Sequence, residues 1–109
     1  MRILTITPGF VRRSQRTAIE DFLVCRGARR VDIVEVQRPD DATLWQLQQD
    51  LRKGRYDAIV LLYKTQREMK RFLRTFDTCR VPVYTADYAE KRTRRGESVL
   101  EFDGFSAAA

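Results

Sequence analysis

The chain has 109 residues, 43% of them hydrophobic and 33% charged, with a formal net charge of +6 and no histidine. That length holds one domain with a real core and no second one, and the apolar fraction argues against disorder. Without histidine or a Cys-x-x-Cys pair, ordinary zinc sites and every histidine-based acid, base or triad scheme are excluded from this chain alone.

No apolar run exceeds six residues, far below what crosses a bilayer, and the opening residues Met1 to Gly9 contain no secretory apolar segment of the usual length. The chain therefore reads as soluble and cytoplasmic. Cys25 and Cys79 lie near the ends of helices expected on different sides of a sheet, which makes them poor disulfide partners. Charge is unevenly placed: residues 1–96 carry 21 bases against 12 acids, or +9, and residues 97–109 carry three acids and no base. A basic body with an acidic tail points to polyanionic partners; the alternative is simple solubility.

Ile3 to Thr7 is a short β-branched run closed by Pro8-Gly9, a first strand and turn. Ser14 can cap a helix in which Ala18, Phe22 and Cys25 recur at helical spacing, with Gly27 as its stop. Val31 to Val36 is a second strand. Asp32 and Glu35 interrupt it on opposite faces, so it belongs at an edge. Arg38-Pro39 closes it, and Asp40 or Asp41 caps a helix with a Leu44, Leu47 and Leu51 stripe ending at Gly54. Trp45 lies off that stripe; it either covers an adjacent loop or anchors a partner.

The run Ala58 to Tyr63 is apolar on both alternating faces, the pattern of a central strand covered on both sides. Thr65 and Glu68 then form a capping box opening a third helix, with Met69, Phe72, Leu73 and Phe76 inward and Arg67, Lys70, Arg71 and Arg74 outward. That basic stripe is either a plain solvated face or a track for a phosphate backbone. Val81 to Tyr84 is a fourth strand. Asp87 and Glu90 read as a second capping box, for a two-turn helix over 88–95 ended by Gly96 and carrying Lys91, Arg92, Arg94 and Arg95 as a basic knob. Ser98 to Phe102 is a fifth strand, Asp103 to Phe105 a turn, and residues 106–109 a frayed tail beyond a single domain over 1–105.

The order βαβαβαβαβ with right-handed crossovers predicts an α/β three-layer sandwich, with a mostly parallel five-stranded sheet in the flavodoxin-like order 2-1-3-4-5. Ligands of such sheets bind at the carboxyl ends of the strands, near the reversal of strand order. That rim would carry Thr7, Gly9, Arg12, Arg13 and Ser14, then Lys64 to Arg67, then Thr85 and Asp87. It is cationic, with hydroxyls and helix N-termini, and suits a phosphate or nucleic-acid backbone. It has neither a Walker loop nor a dinucleotide fingerprint, so no cofactor is expected.

Two resemblances follow from these residues. Phe10-Val-Arg12-Arg-Ser14 resembles the Tyr-x-Arg-x-Ser motif of the serine recombinase (resolvase and invertase) catalytic domain. Lys64-Thr-Gln66-Arg67-Glu-Met-Lys70 resembles that family's Asp-Arg-Leu-x-Arg, and Arg38-Pro39 before a helix ending in a glycine is similar too. The resemblance implies Ser14 as the nucleophile on a DNA phosphate, with Arg12, Arg67 and Lys70 as the surrounding cations. Gln66 stands in place of the acid and Lys70 in place of an arginine. The chain also lacks the family's long dimer-forming helix and DNA-binding domain. Tyr56 to Leu62 and Val81 to Ala86 resemble strands of response-regulator receiver domains. However, Thr7-Pro8 replaces the magnesium-binding acids, and Leu62 or Tyr63 stands where the phosphorylated aspartate belongs.

Taken together, the sequence predicts a noncatalytic binding or regulatory module whose Arg12, Arg13, Arg67, Lys70, Arg71, Arg74, Arg92 and Arg95 meet DNA, RNA or an acidic protein, with Trp45 as a further contact. The alternatives are a protein-interaction scaffold of pseudo-receiver type, with a possible homodimer, and a phosphate-ester enzyme using Ser14. No metal site and no membrane partner are expected.

Overall fold

The computed structural model describes residues 1–36, 42–76 and 80–107. Its elements are β1 (Arg2–Thr7), α1 (Arg13–Val24), β2 (Arg30–Glu35), α2 (Ala42–Arg52), β3 (Ala58–Tyr63), α3 (Gln66–Thr75), β4 (Val83–Arg92) and β5 (Ser98–Ala107). The five strands form one sheet in the order 2-1-3-4-5. The pairs β1–β2, β1–β3 and β3–β4 are parallel and β4–β5 is antiparallel. The expected closure at Arg38-Pro39, the Asp40 or Asp41 cap and Cys79 lie outside the described residues.

The central strand behaves as its composition requires. All six residues of β3 are buried, and they divide by alternation. Ala58, Val60 and Leu62 join Ile19 and Leu23 of α1, whereas Ile59 and Leu61 join Leu44, Leu47 and Leu51 of α2, Phe72 of α3 and Phe76 at the C-cap of α3. Each such aliphatic side chain contributes about 1.5–3 kcal/mol by leaving water. The second strand is at the edge, where its two carboxylates find partners on opposite sides. The Tyr56 hydroxyl donates to Asp32 Oδ2 at 2.8 Å, and Arg16 of α1 donates to Glu35 Oε1 at 2.8 Å.

Helix ends follow the sequence in part. At α3 the Thr65 hydroxyl accepts from the Glu68 N–H at 3.2 Å, and Glu68 Oε1 accepts from the Lys64 and Thr65 N–H groups at 3.0 Å. At α1 the N-cap position is Arg12, not Ser14, which lies inside the first turn. Gln15 supplies the reciprocal contact there, accepting the Arg12 N–H at 3.0 Å.

The fourth helix expected over 88–95 does not form. Tyr84, Ala86 and Tyr88 recur every second residue and share the apolar face that holds α1. This is a strand period, and β4 accordingly runs unbroken from Val83 to Arg92. The Asp87–Glu90 capping box is likewise absent: the Glu90 carboxylate instead accepts from the Ser98 hydroxyl across the hairpin. Gly96, with φ +81°, closes the turn, where the Thr93 N–H donates to the Glu97 carbonyl at 2.8 Å.

The C-terminal stretch also departs from expectation. β5 continues through the supposed turn at Asp103 to Phe105, and Ser106 and Ala107 pair with Thr85 and Tyr84 instead of fraying. A register shift between Thr85 and Asp87 marks a bulge on β5, at Gly104 with φ +61°. The extra residue puts Phe102 and Phe105, three apart, on one face. There Phe22 of α1 stacks on Phe102 at 4.3 Å between centroids and meets Phe105 edge-on at 5.7 Å. The acidic segment is therefore a paired strand and not a loose tail.

Candidate functional site

The β3–β4 pairing ends at Tyr63 opposite Asp87, while β4 goes on to Arg92. Those last five residues pair only with β5 and extend roughly 17 Å past the end of β3, at about 3.4 Å per residue. Because β3 and β4 are parallel, this arm rises from the carboxyl rim of the sheet, beside the reversal of strand order between β1 and β3.

Glu90 is the hub of the rim. Its carboxyl is held below its usual range first by the Ser98 hydroxyl and then by Arg12, Lys64 and Arg92. Those cations arrive from the β1–α1 loop, the β3–α3 loop and the arm, and the Arg12 guanidinium comes within 4.0 Å of Glu90. The Lys64 ammonium also stands 5.3 Å over the Tyr88 ring. Burial, with Glu68 nearby, pushes the Tyr88 hydroxyl up to about 12. Further along the arm Lys91 reaches Glu101 of β5 at 2.7 Å, which raises its ammonium above its ordinary value.

A second basic surface runs away from the rim along α3. Arg67, Lys70, Arg71 and Arg74 are all exposed on its outer face, and none makes an ion pair among the described residues. From Arg67 to Arg74 there are seven helical steps, which cover about 10 Å of helix axis. The buried side of the same helix holds Phe72, and its C-cap Phe76 is buried too, so the amphipathic division is sharp.

The structure thus brings Arg12 and Arg92 together around Glu90, and sets Arg67, Lys70, Arg71 and Arg74 on one helix face that starts beside Lys64. Arg13 is exposed in the first turn of α1 and Arg95 in the hairpin turn, as part of the arm and not of a helical knob. Trp45 is 62% exposed on α2, and the loop that leads into this helix lies outside the described residues. Ser14 is exposed, and the Arg12 guanidinium beside it in sequence is directed at Glu90. Lys64 was expected on the rim, whereas Tyr88, Glu90 and Ser98 were absent from the expected site residues; the two-residue alternation over 84–88 was the signal that could have extended β4 to Tyr88 and Glu90. Among the described residues no cluster of acids and cysteines could hold a metal ion, and no helix is long and apolar enough to cross a membrane.

Compared with protein-family models and with curated proteins, the chain matches none.

Proposed function

We propose that the protein is a noncatalytic binding module that tracks the phosphate backbone of a nucleic acid with α3 and the carboxyl rim, on a three-layer α/β scaffold. The observation that carries this reading is the row Arg67, Lys70, Arg71 and Arg74, cations with no carboxylate within ion-pair distance among the described residues. Elsewhere Arg2, Arg16, Arg30, Arg55 and Lys91 each have an acidic neighbour, while Arg13, Arg26, Arg29, Arg92 and Arg95 also lack an ion pair among the described residues; what sets α3 apart is four such cations on one helix face. Leaving several like charges adjacent and unneutralised costs repulsion that a polyanion relieves, with release of its condensed counterions.

A serine nucleophile at Ser14 is the weaker reading. Its hydroxyl needs a base and a cation aimed at the reacting phosphate, and Arg12, the cation that the recombinase resemblance assigns to it, stands instead 4.0 Å from Glu90.

Fluorescence anisotropy with a labelled single-stranded oligonucleotide, a duplex and poly-glutamate tests the proposal. Binding to nucleic acid that falls steeply between roughly 50 and 200 mM salt supports it. Binding to poly-glutamate alone would assign the surface to an acidic protein instead.

A further inference from the structure

Phe10 is 77% exposed, the most exposed of the large apolar side chains among the described residues. It is not on a loose segment. On one side the Gly9 N–H donates to the Thr7 carbonyl at 3.1 Å, and the Thr7 hydroxyl donates to the Gly9 carbonyl at 3.2 Å. On the other side Val11 is 4% exposed and belongs to the apolar cluster under α1. Both neighbours are pinned, so the ring is held out into water from the carboxyl end of β1 by a short, defined turn.

Its surroundings are cationic. Arg12 and Arg13 follow at once, and Arg12 reaches the Glu90 hub that Lys64 and Arg92 also surround. An aromatic face presented among exposed cations is the combination by which proteins hold unpaired nucleotides: cations take the phosphates, and the ring takes a base, whatever its identity. A duplex offers no free base face, and charge alone does not distinguish it from a single strand.

We infer that Phe10 is a base-stacking platform and that the preferred ligand is single-stranded nucleic acid, its backbone running from the rim onto α3. This inference rests on the backbone-binding reading above and adds to it the strandedness of the ligand and the residue that reads it. Trp45 on α2 and Val24 at the far end of α1 are also exposed, but neither belongs to the β1–α1 loop that carries Arg12 to Glu90.

The test is anisotropy of a labelled oligothymidine, the same strand with abasic sites, and a duplex of equal length, with wild type, Phe10→Ala and Phe10→Trp. Because Phe10 is in water, all three proteins should give the same circular dichroism and melting temperature. The expected result is that Phe10→Ala weakens oligothymidine binding by about fivefold or more. Abasic and duplex binding and the salt slope stay unchanged, and Phe10→Trp restores affinity. Salt-dependent binding that Phe10→Ala leaves intact on oligothymidine overturns the stacking role while sparing the backbone reading. Absence of salt-dependent binding to all three ligands by wild type overturns both.

Discussion

The Arg12 guanidinium at the start of α1 lies 4.0 Å from the Glu90 carboxylate on the β4 arm, so a helix N-terminus and a hairpin meet above the rim of the sheet. Glu90 also sits within electrostatic reach of Lys64 and Arg92. It screens three cations that a phosphate would otherwise contact. Glu90→Gln keeps an acceptor for the Ser98 hydroxyl and removes the charge. Affinity for an oligonucleotide should rise by about two- to fivefold at low salt, with the gain fading at high salt, as expected for exposed charges. Unchanged or weaker binding in an anisotropy titration would remove Glu90 from the binding surface.

Two exposed carboxylates, at opposite ends of the sheet, also set an acid limit. Glu90 and Asp57 have carboxyls depressed in the folded state, Glu90 chiefly by Ser98 and Asp57 chiefly by the Arg2 backbone N–H. A depressed carboxyl stabilises the fold above its unfolded value, and that contribution is lost as pH falls through the lower, folded value. Tyr56 and Tyr88 act at the other end. Both are raised to about 12, by burial first and then by Asp32 or Glu68. Their contribution is complete below the ordinary tyrosine value near 10 and is lost as pH rises towards about 12. Absorbance at ~295 nm should therefore show two tyrosines ionising late in the native protein. Tyr56→Phe and Tyr88→Phe should each remove one late step; an alkaline titration with all four tyrosines near 10 would contradict the packing described here.

Thr65 is a separable test of local structure. Its hydroxyl accepts the Glu68 N–H, and the Glu68 carboxylate returns to the Lys64 and Thr65 N–H groups. Thr65→Ala should cost about 1 kcal/mol in urea unfolding, with Thr65→Ser close to wild type. A cost near zero would mean that packing of Phe72 and Phe76 alone holds the start of α3.

Thr5 is buried between Ile33 and Val60, and its hydroxyl has no partner among the described residues. A buried hydroxyl without a hydrogen bond costs roughly 1–3 kcal/mol, so the similarly shaped Thr5→Val should stabilise the protein by about that amount. A loss of stability on thermal melting would point to a hydrogen-bonded Thr5.

The sequence was most legible where burial is extreme. Ala58 to Tyr63 had no polar face to show, and Asp32 and Glu35 could sit only where each face left room for a counter-group. These two facts alone set the centre and one edge of the sheet. The arm was harder to read because Asp87-Tyr-Ala-Glu90 satisfies a helix-start pattern by composition. What decides between helix and strand there is the partner β5, and Gly104 hides that partner by shifting its alternation midway. The α3 stripe was legible because inward and outward residues separate cleanly on a helical wheel. The Glu90 hub was not, since it joins residues from distant parts of the chain, and Phe10 has the look of an ordinary loop residue unless the anchoring of Val11 is known.

The dependence of binding on salt tests the central claim most directly. The logarithm of the association constant for a single-stranded oligonucleotide should fall linearly with the logarithm of salt concentration. Replacing Arg67, Lys70, Arg71 and Arg74 together by glutamine should flatten that slope by about 0.7 for each phosphate that is no longer neutralised, while the melting temperature changes little. An unaltered slope in the fourfold variant, with its fold intact, would contradict the assignment of α3 as the backbone track.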